Sequence, residues 1–519
     1  MTPHTEGMRA NTLMNLAGYG LPIFVSVVTV PRYLGIVGEA RYGVLVIVWI
    51  MLGYFGVFDL GLGRATTHEI AQCAPDDDEE AGAVFWTAAT LNAGLGAVGG
   101  LLLLPIAYSL VQYVFKMPPE LKHEVTDALP ILAAAVPLVT LTSVCTGALQ
   151  GREHFMASNA VAVLYGVLFQ LVPLGVAHWS GSDLVPLIGS AVSVLLVTTA
   201  LNFAACVWLV PARRARFDRS RVSRLFKFGA WISVTGILSP LISILDRLAV
   251  GIAVGAGGVT RYSVPFNLAT RLWIIPISFS RTAFPRMAML ARAEAEVIAQ
   301  DVTAALFTLL TPIVIVGMLL FQPFLHIWIG SKLGPQASAI GEILLLGTWM
   351  DGLAYIPNVF LQAQGRPDLP AKLHLLEMLP FLVVLWIGLK AAGVEGGALA
   401  WTIRSIGDSI LLFWACKVRW RIDTRVVVGS GLLGAAMALA LLFPGATTIR
   451  IGGDATILVA TIVWTWLSLP PAARAKIHHG SLRTLPHRRR VRENSDPEGL
   501  PLASPYPHTE QEIGIQPDP

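Results

Sequence analysis

The sequence predicts an all-α polytopic membrane protein of about fourteen transmembrane helices, arranged as two pseudo-symmetric six-helix lobes plus a C-terminal helix pair. Three observations carry this. The chain is 54% hydrophobic and only 13% charged, with a mean hydropathy of +0.64; a soluble protein carries about twice that charged fraction. Apolar runs of 18 or more residues recur along nearly all of its 519 residues, each long enough to cross a bilayer, whereas a β-barrel would alternate over roughly 10-residue segments. Finally, the chain echoes itself. Arg41-Tyr42-Gly43-Val44 returns as Arg261-Tyr262-Ser263-Val264, and Gln150-Gly151-Arg152 returns at nearly the same offset as Gln364-Gly365-Arg366.

In order, the spans read as 11–34, 42–70, 82–114, 126–149, 156–179, 184–210, 228–256, 262–285, 302–330, 337–363, 371–391, 395–416, 426–445 and 454–470. The short connections make neighbouring spans antiparallel. Both echoes fall at equivalent places, so the division is an N-terminal six-helix lobe 1–210, a basic linker 211–227, a second lobe 228–420, an extra helix pair 421–470 and a disordered tail 471–519. The repeats are parallel, related by an axis along the membrane normal. The linker's composition equally suits an amphipathic helix on the anionic inner leaflet. No small-residue cleavage site follows Arg9 and the run Leu13–Val30, so the first helix is expected to serve as its own insertion signal.

Basic residues orient the spans. With the N-terminus in the cytoplasm, Lys and Arg fall on the inner side about three times as often as outside, where Arg32, Arg41, Arg261 and Arg450 are among the few. Both termini are then cytoplasmic. The acidic run Asp76–Glu80 reads as a solvated inner loop. The four cysteines, Cys73, Cys145, Cys206 and Cys416, are widely separated and read as small buried apolar side chains; no metal site or other cofactor is indicated.

Three arginines remain inside spans: Arg247, Arg271 and Arg404. A charge at the bilayer centre costs about 2.5–3.5 kcal/mol on insertion scales, so each needs a partner, water or a ligand. Arg247 and Asp246 are adjacent, which on a helix points them about 100° apart and towards different neighbours. A cationic interior suits an anionic head group such as a diphosphate. Substrate-binding candidates are Arg247 and Arg271, then Arg64, Arg32 and Arg404. Candidates for coupling to protons or sodium are Asp246, Asp59, Asp351, Glu377 and Asp408. Arg404 and Asp408, at i,i+4, are expected to pair on one face, and the single amides Asn15, Asn92, Asn159, Gln170 and Asn202 read as interhelical glue.

Several of these residues also carry a resemblance. Pro31-Arg32-Tyr33-Leu34-Gly35, Phe58-Asp59-Leu60-Gly61-Leu62-Gly63, Leu149-Gln150-Gly151-Arg152, Asp246-Arg247 and Phe284-Pro285-Arg286 make residues 8–420 similar to the oligosaccharide flippase (Wzx-type) branch of the multidrug/oligosaccharidyl-lipid/polysaccharide exporter superfamily. The resemblance implies a V-shaped pair of lobes, alternating access in the bacterial inner membrane, and movement of a polyprenyl-diphosphate-linked oligosaccharide to the outer leaflet. Expected partners are that lipid-linked oligosaccharide, membrane lipids, and polysaccharide polymerase and chain-length machinery, with no nucleic acid. A lipid II flippase and a cation-coupled drug exporter are the alternatives. A membrane glycan polymerase or acyltransferase fits less well. The longest non-membrane segment before the tail is the short linker 211–227, and no His/Asp/Arg cluster stands at one water interface.

Overall fold

The computed structural model describes residues 3–74, 77–210, 217–223, 225, 244–420, 423–443 and 447–469. Most of the expected linker 211–227, the opening 228–243 of the seventh span and the tail 471–519 lie outside the described residues. Every regular element among those described is helical.

Helix α1 (Pro3–Tyr54) covers two expected spans and turns at Gly38, whose φ of 77° and ψ of 171° a side chain would oppose. Its arms fold back on each other, bringing the Tyr33 ring within 6.1 Å of Tyr42 and 5.5 Å of Trp49. The expected continuous span 42–70 is broken. A 3-10 turn (Phe55–Asp59) leads to Leu60 and Gly61, both left-handed, before α2 (Leu62–Gln72). The acidic run is corrected too. Asp77 caps α3 (Asp78–Ser109) by accepting from the Glu80 N–H at 2.9 Å, and Asp78, Glu79 and Glu80 form the first turn, where the helix dipole favours negative charge. Next come α4 (Pro119–Gly151), opened by proline, α5 (Phe155–Ser180), and α6 (Leu184–Leu209), capped by Asp183.

Helix α7 is described over 244–253. The expected span 262–285 is divided into α8 (Ala256–Ala269), a 3-10 turn at Thr270–Trp273, and α9 (Ile274–Met289). Then follow α10 (Arg292–Ile329), α11 (Gly334–Ala363) and α12 (Asp368–Ala415). Helix α12 is a hairpin of two arms, turned at Ala392 and Gly393. The arms approach so closely that Gly388 and Gly396 each lack room for a Cβ against the other's backbone. Helices α13 (Thr424–Leu442) and α14 (Thr448–Ser468) complete the order.

Helix α1 packs on α5, α3 and α6 pack on α4, and α8 to α10 and α12 pack on α11. Helix α1 also packs on α8, joining the first half to the second. The pair α13–α14 lies on α10, and Arg450, expected in an outer loop, fastens it: its buried guanidinium donates to the buried Glu342 of α11 at 2.5 Å.

Ten helices among the described residues are long and apolar enough to cross a membrane. That is fewer than fourteen because α1 and α12 each contain two arms, the seventh expected span is only partly described, and the eighth is broken. Large apolar side chains such as Leu101, Leu379 and Ile403 are exposed along these helices. Exposed aromatics sit at helix ends: Tyr113 just after α3, Trp179 in the last turn of α5, and Trp208, Trp414 and Trp466 at the ends of α6, α12 and α14. Aromatic rings at span ends match the two interfaces of a bilayer.

Candidate functional site

A cavity of about 230 Å³ lies between the arms of α1, α5, α8 and the end of α10. Ser26, Tyr42, Trp49, Gln170, Asn267, Arg271 and Trp328 give it its chemistry. Arg271 stands in the 3-10 turn that separates α8 from α9, and its Nη2 donates to Ser26 Oγ at 3.3 Å. It is exposed, as are Asn267, Ser278, Arg281, Thr282 and Arg286. Their helical spacing makes one polar face on α8–α9. Such a face is costly against lipid and stable against a water-filled cavity.

Asn267 joins this cavity to the buried charges of α7. Arg247 is 7% exposed, lies 4.4 Å from the Phe266 ring centroid, and donates to Asn267 Oδ1 at 3.4 Å. Asp246 is turned the other way, as adjacent helical positions require. Its Oδ2 accepts from the Tyr262 hydroxyl at 2.8 Å and its Oδ1 from the Arg247 N–H at 2.7 Å. Asn267 thus accepts from the Arg247 guanidinium and shares the cavity wall with Arg271, while Asp246 is held in the helix packing.

The remaining charges of the second half gather at the α12 hairpin. The expected Arg404–Asp408 pairing along one helix face is not the arrangement found; each meets the other arm. Arg404 lies 4.0 Å from Glu377 and 5.6 Å from the Phe381 ring, and His374 Nε2 lies 3.3 Å from Asp408. Folding α12 back on itself places these opposite-arm partners closer than the i,i+4 neighbour. Asp351 of α11 lies within electrostatic reach of Arg404, Asp408 and His374, and Arg404 also acts on Asp246. Both Glu377 oxygens and Asp408 Oδ1 are buried without an aligned hydrogen bond among the described residues.

The first-half candidates are not drawn into this group. Asp59 is 6% exposed and ties three helices together: both its oxygens accept from the Gly63 N–H at 3.1 Å, one from Ser143 Oγ at 3.0 Å, and the other from Asn92 Nδ2. A Cβ on Gly63 would meet Ser143 and one on Gly147 the Gly63 backbone, so both positions need glycine, and Gly61 needs it for its positive φ. Arg64 is exposed nearby. Arg32 is exposed on the face that carries Leu21, Phe24 and Val28, and donates to Val28 O at 3.2 Å; it does not line the cavity.

Sequence reasoning passed over the contacts that join the α1 turn to the start of α8. Glu39, at the α1 turn, accepts from Arg261 Nε at 2.5 Å through its carboxylate and from Thr260 Oγ1 at 2.7 Å through its carbonyl. Gly43 packs against the Ala256 backbone with no space for a Cβ, and Lys116 donates to Ala253 O at 2.9 Å. The echoed arginines therefore differ: Arg41 binds Glu124 within the first half, whereas Arg261 bridges the halves. The second echo is out of register with the structure. Equivalent turns follow α4 and α11, where His154 N–H donates to Leu149 O and Arg366 N–H to Leu361 O, with Glu153 and Gly365 at positive φ.

A cavity that carries one guanidinium and lies among membrane-crossing helices suits a membrane transporter. The chain belongs to the polysaccharide biosynthesis protein family, which matches residues 5–291. It is 28% identical over 411 residues to a Shigella flexneri protein named "Putative O-antigen transporter", covering 78% of this chain and 96% of that protein. It is 25% identical over 213 residues to "Lipopolysaccharide biosynthesis protein WzxC" of Escherichia coli strain K12, covering 38% and 41%. Among solved structures, the lipid II flippase MurJ in an inward closed conformation matches with a TM-score of 0.66 over 88% of this chain and 98% of MurJ, at 14% identity. An inward-facing multidrug resistance MATE family transporter of the MOP superfamily matches with a TM-score of 0.63 over 81% and 96%, at 17% identity. These two likenesses establish the fold.

Proposed function

We propose that this chain is a flippase that moves a polyprenyl-diphosphate-linked oligosaccharide from the inner to the outer leaflet of the bacterial inner membrane. It works by alternating access between lobes 1–210 and 228–420 and performs no covalent chemistry. The observation that carries the reading is the exposed polar and cationic face of α8–α9 leading to Arg271 in the cavity. Guanidinium groups there match a diphosphate in charge and geometry. Names of relatives that point to O-antigen transport support the substrate class. The excess of Lys and Arg in alternate loops supports cytoplasmic termini, with the Glu39–Arg261 contact on the outer side.

The cycle is coupled to proton or sodium movement through Asp351, Glu377 and Asp408, the carboxylates gathered with His374 and Arg404. Driving one charge inward through ~100 mV supplies about 2.3 kcal/mol, enough to bias a two-state equilibrium. Deleting the gene should abolish a surface polysaccharide and leave lipid-linked repeat units inside. Unchanged surface glycan in a strain without a redundant transporter refutes the reading, and altered drug resistance in its place points to an exporter. Ion and glycan specificity follow from transport assays in proteoliposomes, and co-purification with a polymerase tests the expected assembly.

A further inference from the structure

Arg32 stands outside the cavity and makes no ion pair among the described residues. Leu21, Phe24, Val28 and Arg32 are all exposed, and their spacing of three and four residues puts them in one stripe along α1. From Leu21 to Arg32 the stripe climbs about 16 Å, half of a hydrocarbon core of about 30 Å. With the Gly38 turn of α1 facing out, Arg32 lies near the depth of the outer head groups and the stripe spans one leaflet. The guanidinium leans inward. Side chains on a helix tilt towards its N-terminus, here the deeper side, and Arg32 Nη1 donates to Val28 O at 3.2 Å, one turn back. Held there, the charge lies over apolar surface, where it is costly without an anion.

The stripe runs beside the seam between the two halves. Pro31 has no N–H, so the Val27 carbonyl, one turn before it, loses its helical donor. Trp328 of α10 supplies one: its Nε1–H donates to Val27 O at 2.7 Å across the halves. Val27 lies about 100° round the helix from Val28, so the seam borders the stripe. On α10, Phe324 stacks on Trp328 at 5.4 Å, and both Phe324 and Ile327 are exposed. Apolar side chains thus flank the Val27–Trp328 bond on both helices, with a guanidinium on its outer side.

A phospholipid meets each of these features. One guanidinium matches one phosphodiester in charge and offers it paired N–H donors. The stripe matches an acyl chain in length and polarity. A free phosphate leaves the apolar stripe unused, and a prenyl diphosphate brings a second phosphate for which the stripe has no second cation. We propose that Arg32 and the Leu21–Phe24–Val28 stripe seat an anionic phospholipid of the outer leaflet, its phosphate on the guanidinium and one acyl chain along α1 against the Val27–Trp328 seam. The lipid braces the outer side in its closed state. Opening that side parts Trp328 from a carbonyl that Pro31 leaves without a donor, and a chain packed over the seam raises the cost by keeping water away. The proposal rests on the flippase reading for the outward orientation alone.

The test uses the full-length protein in detergent micelles, titrated with phosphatidylglycerol or with phosphatidylcholine, which has the same phosphate but no net charge, and read by native mass spectrometry. Phosphatidylglycerol should bind about tenfold more tightly. Arg32→Gln should bring the two lipids to within about twofold of each other without changing the thermal midpoint, and Arg32→Lys should keep part of the difference. Binding of farnesyl diphosphate should be unaffected by Arg32→Gln; a loss of about tenfold gives the seat to the prenyl carrier and overturns the phospholipid assignment. In vesicles, a cysteine pair across Ala40 and Gly257 should cross-link several-fold faster when phosphatidylglycerol is present than in phosphatidylcholine alone, and Arg32→Gln should remove that dependence. Equal affinities in the wild type, or a preference that survives Arg32→Gln, overturn the seat, and equal cross-linking in both vesicles overturns the brace. Neither result touches the surface-glycan phenotype that decides the flippase reading.

Discussion

Asp59 and Glu377 are both nearly buried carboxylates inside a helical membrane protein, yet their surroundings are opposite. Asp59 accepts from the backbone of Gly63 and from Asn92 and Ser143, and joins α2 to α3 and α4. Glu377 accepts no aligned hydrogen bond from an N–H or hydroxyl among the described residues; it lies 4.0 Å from Arg404 and within hydrogen-bond reach of the Asp408 carboxyl, with which it can only share a proton. Buried polar groups are normally satisfied, and one that is not calls for an explanation such as strain, an ion or a moving proton. The comparison teaches that an intramembrane carboxylate is not by itself a coupling residue. The arrangement of donors decides, and among these candidates it is Glu377 and Asp408, facing each other across the α12 hairpin, that lack a full set of donors.

The most disruptive way to break the comparison is Asp59→Ala. It leaves buried donors on Gly63, Asn92 and Ser143 without acceptors, at about 1–3 kcal/mol each. Folded protein in the membrane should fall sharply and the thermal midpoint drop, with transport lost in proportion; normal yield with selective loss of transport would make Asp59 functional after all. Next in size is Arg271→Ala. The side chain is exposed and donates to Ser26, so the protein should insert and melt normally. Loss of charge-assisted contacts worth about 1.5–3 kcal/mol should lower transport by roughly 10- to 100-fold. Full complementation by Arg271→Ala and Arg247→Ala together would remove the cavity from the mechanism.

Glu377→Gln keeps shape and removes the titratable carboxyl. Transport driven by a pH or sodium gradient in proteoliposomes should fall several-fold, while binding of a prenyl diphosphate persists. Because Glu377 and Asp408 belong to one electrostatic group with His374 and Arg404, adding Asp408→Asn should cost less than the sum of the single changes. Equal sensitivity to the gradient in wild type and variant would place coupling elsewhere. The smallest effect is expected at Glu39–Arg261, whose side chains are 27% and 36% exposed. A pair this accessible is worth about 0.2–1 kcal/mol, so Arg261→Gln should shift the balance of open and closed states only a few-fold. A cysteine pair placed across Ala40 and Gly257 should then cross-link more slowly, and the swap Glu39→Arg with Arg261→Glu should restore the rate.

Much of this was legible in the sequence because membrane insertion is governed by local composition. Span length, basic flanks and the three intramembrane arginines can all be read without knowing a single contact. Asp246 and Arg247 were separable on the same grounds, since helix geometry alone sends neighbours to different partners. The acidic run at Asp77–Glu80 is a different case: its charge suggested a loop, but Asp77 followed by three acids is also a helix start, and that capping pattern was present to be read.

The sequence by itself determined that the chain is a helical membrane protein with a cationic interior and an internal echo. Hydrophobic transfer and the need to satisfy backbone groups within each helix leave no other solution. The tertiary structure decided which charges serve which role. Arg404 and Asp408 are one helical turn apart, yet the turn at Gly393 gives each a partner on the opposite arm. Arg41 and Arg261 share a motif, yet one closes a single half and the other bridges two. Trp49, Gln170, Asn267, Arg271 and Trp328 come from distant stretches of chain and meet only when α1 and α10 pack around α8. Such proximity depends on how helices cross, a long-range property that no local pattern of residues encodes.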